Sequence, residues 1–419
     1  MHGREDKALS GSKQLRLLYI ADVPVEASYH GSALLYRLLE DYPVDRLEIV
    51  EAGTGASLPE RRMAGVRYTA AALPLNRLQT TRFAPWYSQA CLLAASIRAR
   101  RFSGIVDRFK PDAILTVTHG VSWISAAALA EKRGLPLHLI CHDEWARAIV
   151  STGVSRAWAD DIFGSYYRVA ASRLCVSAFM AEDYEVRYGA VGSVLYPSRA
   201  RDAVRYTSPP KRIGTNTEQF TCAFAGTINS AGMVAALKSL ATVLEQQHGR
   251  LLIFGPLDVA QAKVSGLDAK NIEICGLLSS SELMETLRDR AHALFVPMSF
   301  AAQDRPNMEV SFPSKLTDYT AVGLPLLIYG PEYCSAVRWA RSNDGVAEVV
   351  VYEDESALTE AVLRLAGQSA YRMQLAANAL AVGDQYFSHA AAARVFETGL
   401  AAGTKNHSVA AHTKVASGL

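Results

Sequence analysis

The chain has 419 residues, 50% of them hydrophobic and 20% charged, with a net charge of +2. That length is too great for one compact core and suits two. The composition excludes a disordered or collagen-like chain, and the near-neutral balance excludes a generic polyanion binder. The six cysteines lie far apart with no C-x-x-C pair; those in apolar runs, such as Cys141 and Cys175, read as reduced core thiols of a cytoplasmic protein. The polar stretch Met1 to Gln14 holds no apolar signal core, and the apolar run after it is a strand length, too short for a membrane span.

In chain order, Leu15 to Ala21 reads as a buried strand, followed by a loop with His30 and Gly31 and a helix around Ser32 to Glu40. Further apolar runs at 47–50, 113–117, 135–141, 174–177 and 193–196 alternate with helical stretches at 122–132 and 178–188. Continuous apolar strands covered by intervening helices imply a parallel sheet buried on both faces. The segment from Ser198 to Gln219, with Pro209-Pro210 and Gly214, breaks the rhythm and reads as a linker. Strands at 220–225, 250–254, 271–275, 293–296, 325–329 and 346–351 then restart it, with helices at 233–247, 316–322 and 355–367. The expected fold is therefore α/β: two Rossmann-like doubly wound domains facing a cleft, with ligands beyond the carboxyl ends of the strands. The expected boundaries are 14–200 for the first domain, 201–218 for the linker and 219–382 for the second domain. A helical segment over 383–402 and a disordered tail over 403–419 follow.

The segment Ser311 to Gly330 is the richest in chemistry. Pro313 suits a helix start and Gly323 its end, so a strand-to-helix turn aims the N–H groups of Ser314, Lys315 and Leu316 at the ligand side, a ready phosphate site. Lys315 adds a point charge. Asp318, one turn on, is placed to accept ribose hydroxyls, or else stands in solvent on an ordinary capped helix. At two strand ends of the first half stand His142-Asp143 and, more weakly, His119. His30 and Gly31 are placed on the acceptor side, where a glycine allows close backbone approach.

The pattern P-S-K-L-x-D-Y-x-A-x-G-L-P at 313–325 resembles the donor-nucleotide segment of GT-B glycosyltransferases of the family 4-like group. The segments Phe224-Ala-Gly-Thr227, Leu251 to Gly255 and Ile272 to Leu278 resemble its second-domain strands and loops, and Cys141-His-Asp-Glu-Trp145 resembles a first-domain strand end. The helix around Gln385 to Phe396 is similar to one that crosses back onto the first domain. This resemblance implies a glycosyltransferase moving a sugar from a nucleotide-diphospho donor to a glycan or lipid-linked acceptor in surface polysaccharide synthesis. It implies retention of configuration, and no cofactor or metal. Donor binding would fall to Gly226, Thr227, Gly255, Gly276, Leu277, Ser314, Lys315, Leu316 and Asp318, and catalysis to His142, Asp143 and Lys315. The chain departs from the family pattern in two places. Val310 stands eight before Asp318, beside Glu309, and no basic residue follows Gly226 until Lys238, which leaves Lys315 or Arg305 to meet the diphosphate. A nucleotide-sugar epimerase and a catalytically silent sugar-nucleotide scaffold are the alternative readings.

Residues 61–110 hold ten basic residues, among them Arg98, Arg100 and Arg101, against Asp107 alone. Phe83, Trp86, Leu93 and Ile97 are interleaved with them. Such a stretch reads as a surface for anionic membranes, which would place the protein on the inner face of the membrane, or else as a basic face over core-packing apolar residues. No recognition motif supports nucleic acid.

Overall fold

The computed structural model describes residues 14–27, 31–53, 55–72, 77–78, 81–215 and 219–416, the last fourteen of these, 403–416, by backbone alone. Two compact units form, one from residues up to Leu195 together with those from Ala393 on, the other from Tyr196–Ala392. The first is built on strands β1 (Leu17–Ala21), β2 (Leu47–Glu51), β3 (Arg67–Ala70), β4 (Ala113–Val117), β5 (Leu137–Cys141), β6 (Ser172–Cys175) and β7 (Ser193–Val194). They pair in parallel in the order β3-β2-β1-β4-β5-β6-β7. The second is built on β8 (Thr221–Ala225), β9 (Arg250–Phe254), β10 (Ile272–Gly276), β11 (Ala293–Pro297), β12 (Leu326–Tyr329) and β13 (Ala347–Val350), also parallel, in the order β10-β9-β8-β11-β12-β13.

Both orders have a switch point, between β1 and β4 and between β8 and β11, where the loops leaving neighbouring strands run in opposite directions and open a crevice. The apolar runs that mark the central strands, Leu-Leu-Tyr-Ile-Ala and Ala-Leu-Phe-Val-Pro among them, are buried throughout, because helices cover both faces. β3 escapes the apolar criterion. Its Arg-Tyr-Thr-Ala sequence is half exposed at the sheet edge, so the strand is held by its ladder with β2 and carries no apolar pattern.

The segment from Ser198 to Gln219 is no free linker. Ile213 is fully buried, and Arg212 donates to the carbonyls of Arg288 and Ala291 at the end of the helix Ser280–Arg290. Arg372, itself fully buried, donates to Ile213 O and Thr215 O and to Leu365 O and Ala366 O near the end of the helix Glu355–Gly367. Two arginines thus satisfy helix-end carbonyls and tie the strap to the second unit. The expected boundary between 382 and 383 falls inside the helix Ser369–Phe387, where a Cβ on Gly383 would collide with Arg199 and Thr320. The last helix, His389–Ala416, continues through most of the segment that its polar sequence suggests is disordered. Its many alanines have high helix propensity and extend a helix already nucleated upstream.

Replacing Arg372 by Met should lower the unfolding free energy by about 3 kcal/mol, since buried carbonyls lose their donors. Denaturant titration checks this, and a loss under about 1 kcal/mol would show that the strap does not depend on this side chain.

Candidate functional site

In the second unit, three adjacent strands end on glycine with positive φ: Gly226 (φ 137), Gly255 (φ 147) and Gly276 (φ 74). Gly226 N–H donates to Phe254 O at 2.9 Å and Gly255 N–H to Gly276 O at 2.8 Å, so backbone packs on backbone at the strand tips. A Cβ on Gly255 would collide with Gly226 O, and one on Gly226 would lie 2.7 Å from Lys315 Cε. Lys315 opens the helix Lys315–Val322, and its stem lies over Gly226 with Nζ 5.1 Å from the Phe224 ring centroid. Burial lowers its pKa from the ordinary 10.5, and no carboxylate pairs with it among the described residues. Tyr319 fixes the helix to β8: its hydroxyl donates to Ala225 O at 3.1 Å and accepts from Ala225 N–H at 2.5 Å.

Other members of the expected donor set are placed unevenly. Asp318 and Ser314 are exposed near the helix start, Thr227 is half-buried, and Leu277 is exposed beyond β10. Leu316 departs from expectation. Its side chain is fully buried and its N–H is bonded to Pro313 O at 3.0 Å, because the turn tightens before the helix begins, so it offers no donor. Arg305 pairs with Glu309 at 2.8 Å and stacks over Tyr333, so neither group is an isolated charge, and Val310 is a core residue. Lys238, the first basic residue after Gly226, ends beside Gly266. Of the cations weighed from the sequence, Lys315 alone is left unpaired beside the strand tips.

Arg199 holds this helix from behind and was not singled out from the sequence. It is 6% exposed; Nε donates to Thr317 O and the terminal nitrogens reach Thr320 Oγ1 at 3.1 Å and the Asp384 carboxylate. Thr317 Oγ1 donates in turn to Pro197 O.

In the first unit the carboxyl ends of β1, β4 and β5 are locked together. Asp22, following β1, accepts from Ser122 N–H at 2.6 Å and Ser122 Oγ at 2.8 Å, capping the helix Ser122–Arg133 that follows β4. Such a cap contributes about 1 kcal/mol. Burial raises the Asp22 pKa, with the Ser122 hydrogen bonds opposing it. Gly120 (φ 61) has no room for a Cβ, which would meet the Asp22 carboxylate at 2.5 Å, and its carbonyl accepts from Trp145 Nε1 at 2.6 Å. His119 is thereby set opposite Asp143, Nδ1 to Oδ2 3.5 Å, both about half exposed. This hydrogen bond raises the His119 pKa and lowers that of Asp143, whereas burial lowers that of His142. Glu144 and Trp145 serve the fold. Glu144 is buried, accepts from Arg147 N–H, and pairs with Arg156 and Arg187; Trp145 packs edge-on against Trp123 at 4.9 Å. A Cβ at Gly31 would meet only Val23 at an ordinary 3.8 Å, so packing does not demand glycine there; His30 lies outside the described residues.

The basic stretch 61–110 divides in two. Arg98 is buried and donates to Ser122 Oγ at 3.2 Å, so it belongs to the Asp22 cluster and not to any surface face. Arg100 and Arg101 are exposed, as are Phe83 (48%), Trp86 (74%), Leu93 (73%) and Ile97 (65%) along the helices Ala84–Leu93 and Ala95–Ala99. Among the described residues no helix is long and apolar enough to cross a membrane, and no His, Cys, Asp and Glu side chains group to hold a metal ion.

Comparison with known proteins agrees with this architecture. The model of Glycosyltransferase Family 4 matches residues 46–197. No curated protein matches the sequence. Among solved structures, HepE of Anabaena in complex with UDP and glucose is 14% identical with a TM-score of 0.62 over 93% of this chain and 100% of that one. Sucrose-phosphate synthase of Thermosynechococcus elongatus is 13% identical with a TM-score of 0.63, over 91% and 97% of the two chains. The α,α-trehalose 6-phosphate synthase of Burkholderia multivorans is 15% identical with a TM-score of 0.64, over 96% and 98%. The chain has the GT-B fold. The expected fold is thus borne out, and the family model matches within the first unit, outside the segment 313–325.

The His119–Asp143 pair exists between the lowered Asp143 pKa and the raised His119 pKa. Its stabilising effect is lost as pH rises through the His119 value or falls through that of Asp143. NMR titration should place His119 above 6.5, and Asp143→Asn should bring it down; an unmoved His119 would show that the two side chains do not interact.

Proposed function

We propose that the protein is a glycosyltransferase that moves a sugar from a nucleoside-diphospho donor to a glycan or lipid-linked acceptor. The observation that carries this reading is Lys315: an ammonium without a carboxylate partner among the described residues, over glycine-ended strands, at the start of a helix whose N-terminus favours anions. A diphosphate supplies the missing negative charge. The UDP and UDP-glucose present in the HepE complexes support a donor of that kind.

In this reading Lys315 and the amides of Ser314 and Lys315 take the charge that develops on the departing diphosphate as an oxocarbenium-like centre forms. Protein groups supply that charge, so the step requires no metal. Asp318 accepts the ribose hydroxyls, and the backbone at Gly226, Thr227, Gly255, Gly276 and Leu277 borders the nucleotide. His142 hydrogen-bonds the donor sugar. Asp143, held by His119, faces the acceptor hydroxyl. Retention of configuration follows from the family 4 resemblance.

The acceptor side is read as lipid-linked because of Phe83, Trp86, Leu93 and Ile97, which stand exposed beside Arg100 and Arg101. Aromatic and aliphatic side chains enter a bilayer interface while arginines meet anionic headgroups. Replacing Trp86, Leu93 and Ile97 by Ser together should abolish sedimentation with anionic vesicles, and Arg100→Glu with Arg101→Glu should weaken it most at low salt. Binding that survives both sets would exclude this surface.

Melting temperatures measured with UDP, GDP, TDP and CMP test the donor site, because a ligand of the folded state raises them. One diphosphate should give a clear rise, and Asp318→Ala should weaken its binding by ~10-fold or more, as loss of a hydrogen bond to a charged group does. No rise with any of the four would favour the catalytically silent scaffold.

A further inference from the structure

A cavity of about 330 Å³ lies at the amino-terminal end of the first sheet, away from the strand ends described above. Arg16 precedes β1, Asp45 and Glu48 flank the start of β2, Arg67 opens β3, and Arg108 and Phe109 close the helix Ser103–Phe109 before β4; all six line it. Glu48 is 2% exposed and pairs with Arg108, so those two charges cancel. Arg16 has no such partner among the described residues. Its guanidinium lies 4.8 Å over the Phe109 ring, and its buried Nε finds no hydrogen-bond acceptor among the described residues. Arg67 and Asp45 likewise form no ion pair among the described residues.

A buried guanidinium N–H without an acceptor costs free energy, and a second unpaired guanidinium on the same cavity adds repulsion. An anion with several acceptor oxygens relieves both, and the planar Arg fork matches phosphate geometry. Two unpaired cations suit a dianion. Asp45 disfavours a second acidic group and suits a hydroxyl. The volume stands at the lower end for small-molecule sites, enough for a phosphorylated monosaccharide. We propose that this cavity binds a phosphomonoester of a small hydroxylated molecule, with its phosphate held by Arg16 and Arg67 and a hydroxyl donating to Asp45. The site is separate from the donor and acceptor residues and does not depend on their assignment.

Isothermal titration of the full chain with inorganic phosphate, and separately with glucose 6-phosphate, tests this. Both probes should bind, and Arg16→Met and Arg67→Glu should each weaken binding by about tenfold or more. Arg67 is exposed, so its substitution tests the site even where Arg16→Met disturbs packing on Phe109. Tighter binding of glucose 6-phosphate, lost in Asp45→Ala, supports a sugar monophosphate as the ligand. Equal affinities for the two probes overturn the role of Asp45 and leave free phosphate as the ligand. No binding to the unmodified chain, or binding that survives both arginine substitutions, overturns the site.

Discussion

At the strand tips of the second unit a half-buried ammonium has no carboxylate partner among the described residues, and much of the local architecture keeps it there. Lys315 crosses Gly226, where any side chain would displace it, and lies over the ring of Phe224. Tyr319 ties the helix to β8 through both backbone groups of Ala225, and Arg199 grips its other side through Thr317 and Thr320. Desolvation penalises the free ammonium, and that penalty is recovered when an anion arrives. In the proposed reading the helix N-terminus and the exposed Asp318 orient the nucleotide, with phosphate to the amides and Lys315 and hydroxyls to the carboxylate.

The first unit achieves its order differently, by cross-linking three strand ends. Asp22 caps a helix that its own N-terminal residue leaves without a side-chain cap, and Gly120 and Trp145 close the neighbouring turn. The aromatic packing of Trp123, Trp145 and Phe163 stabilises that arrangement from beneath. What remains mobile in charge is small: His119 and Asp143, half exposed, each shifting the other's pKa toward the ionised pair.

The alternation of apolar runs and helical stretches fixes both sheets because buried parallel strands must be apolar on both faces, and β4 and β9 coincide with their sequence readings. β3 was illegible for the converse reason, being a half-exposed edge strand. The boundary at 382/383 and the proline-rich strap mislead because composition reports local preference, whereas Arg199 and Arg372 impose tertiary contacts on both. Arg98 shows the same limit. A cation among cations reads as surface until Ser122, twenty-four residues away, is seen to accept its hydrogen bond. Asp22 stood at the end of the first strand, where an acidic residue after an apolar run is a readable sign, yet its partner lies a hundred residues on. The pattern at 313–325 marks the helix Lys315–Val322, and only the fold shows that Leu316 turns inward and that Arg305 is already paired.

The central claim is that Lys315 awaits a diphosphate. Selective NMR titration of its side chain, in the free protein and with UDP or whichever nucleotide raises the melting temperature, reads this directly. The account predicts a pKa below 10.5 in the free chain that rises on nucleotide addition, so that affinity falls as pH climbs through the free value. A Lys315 that titrates normally and ignores a bound nucleotide would contradict it.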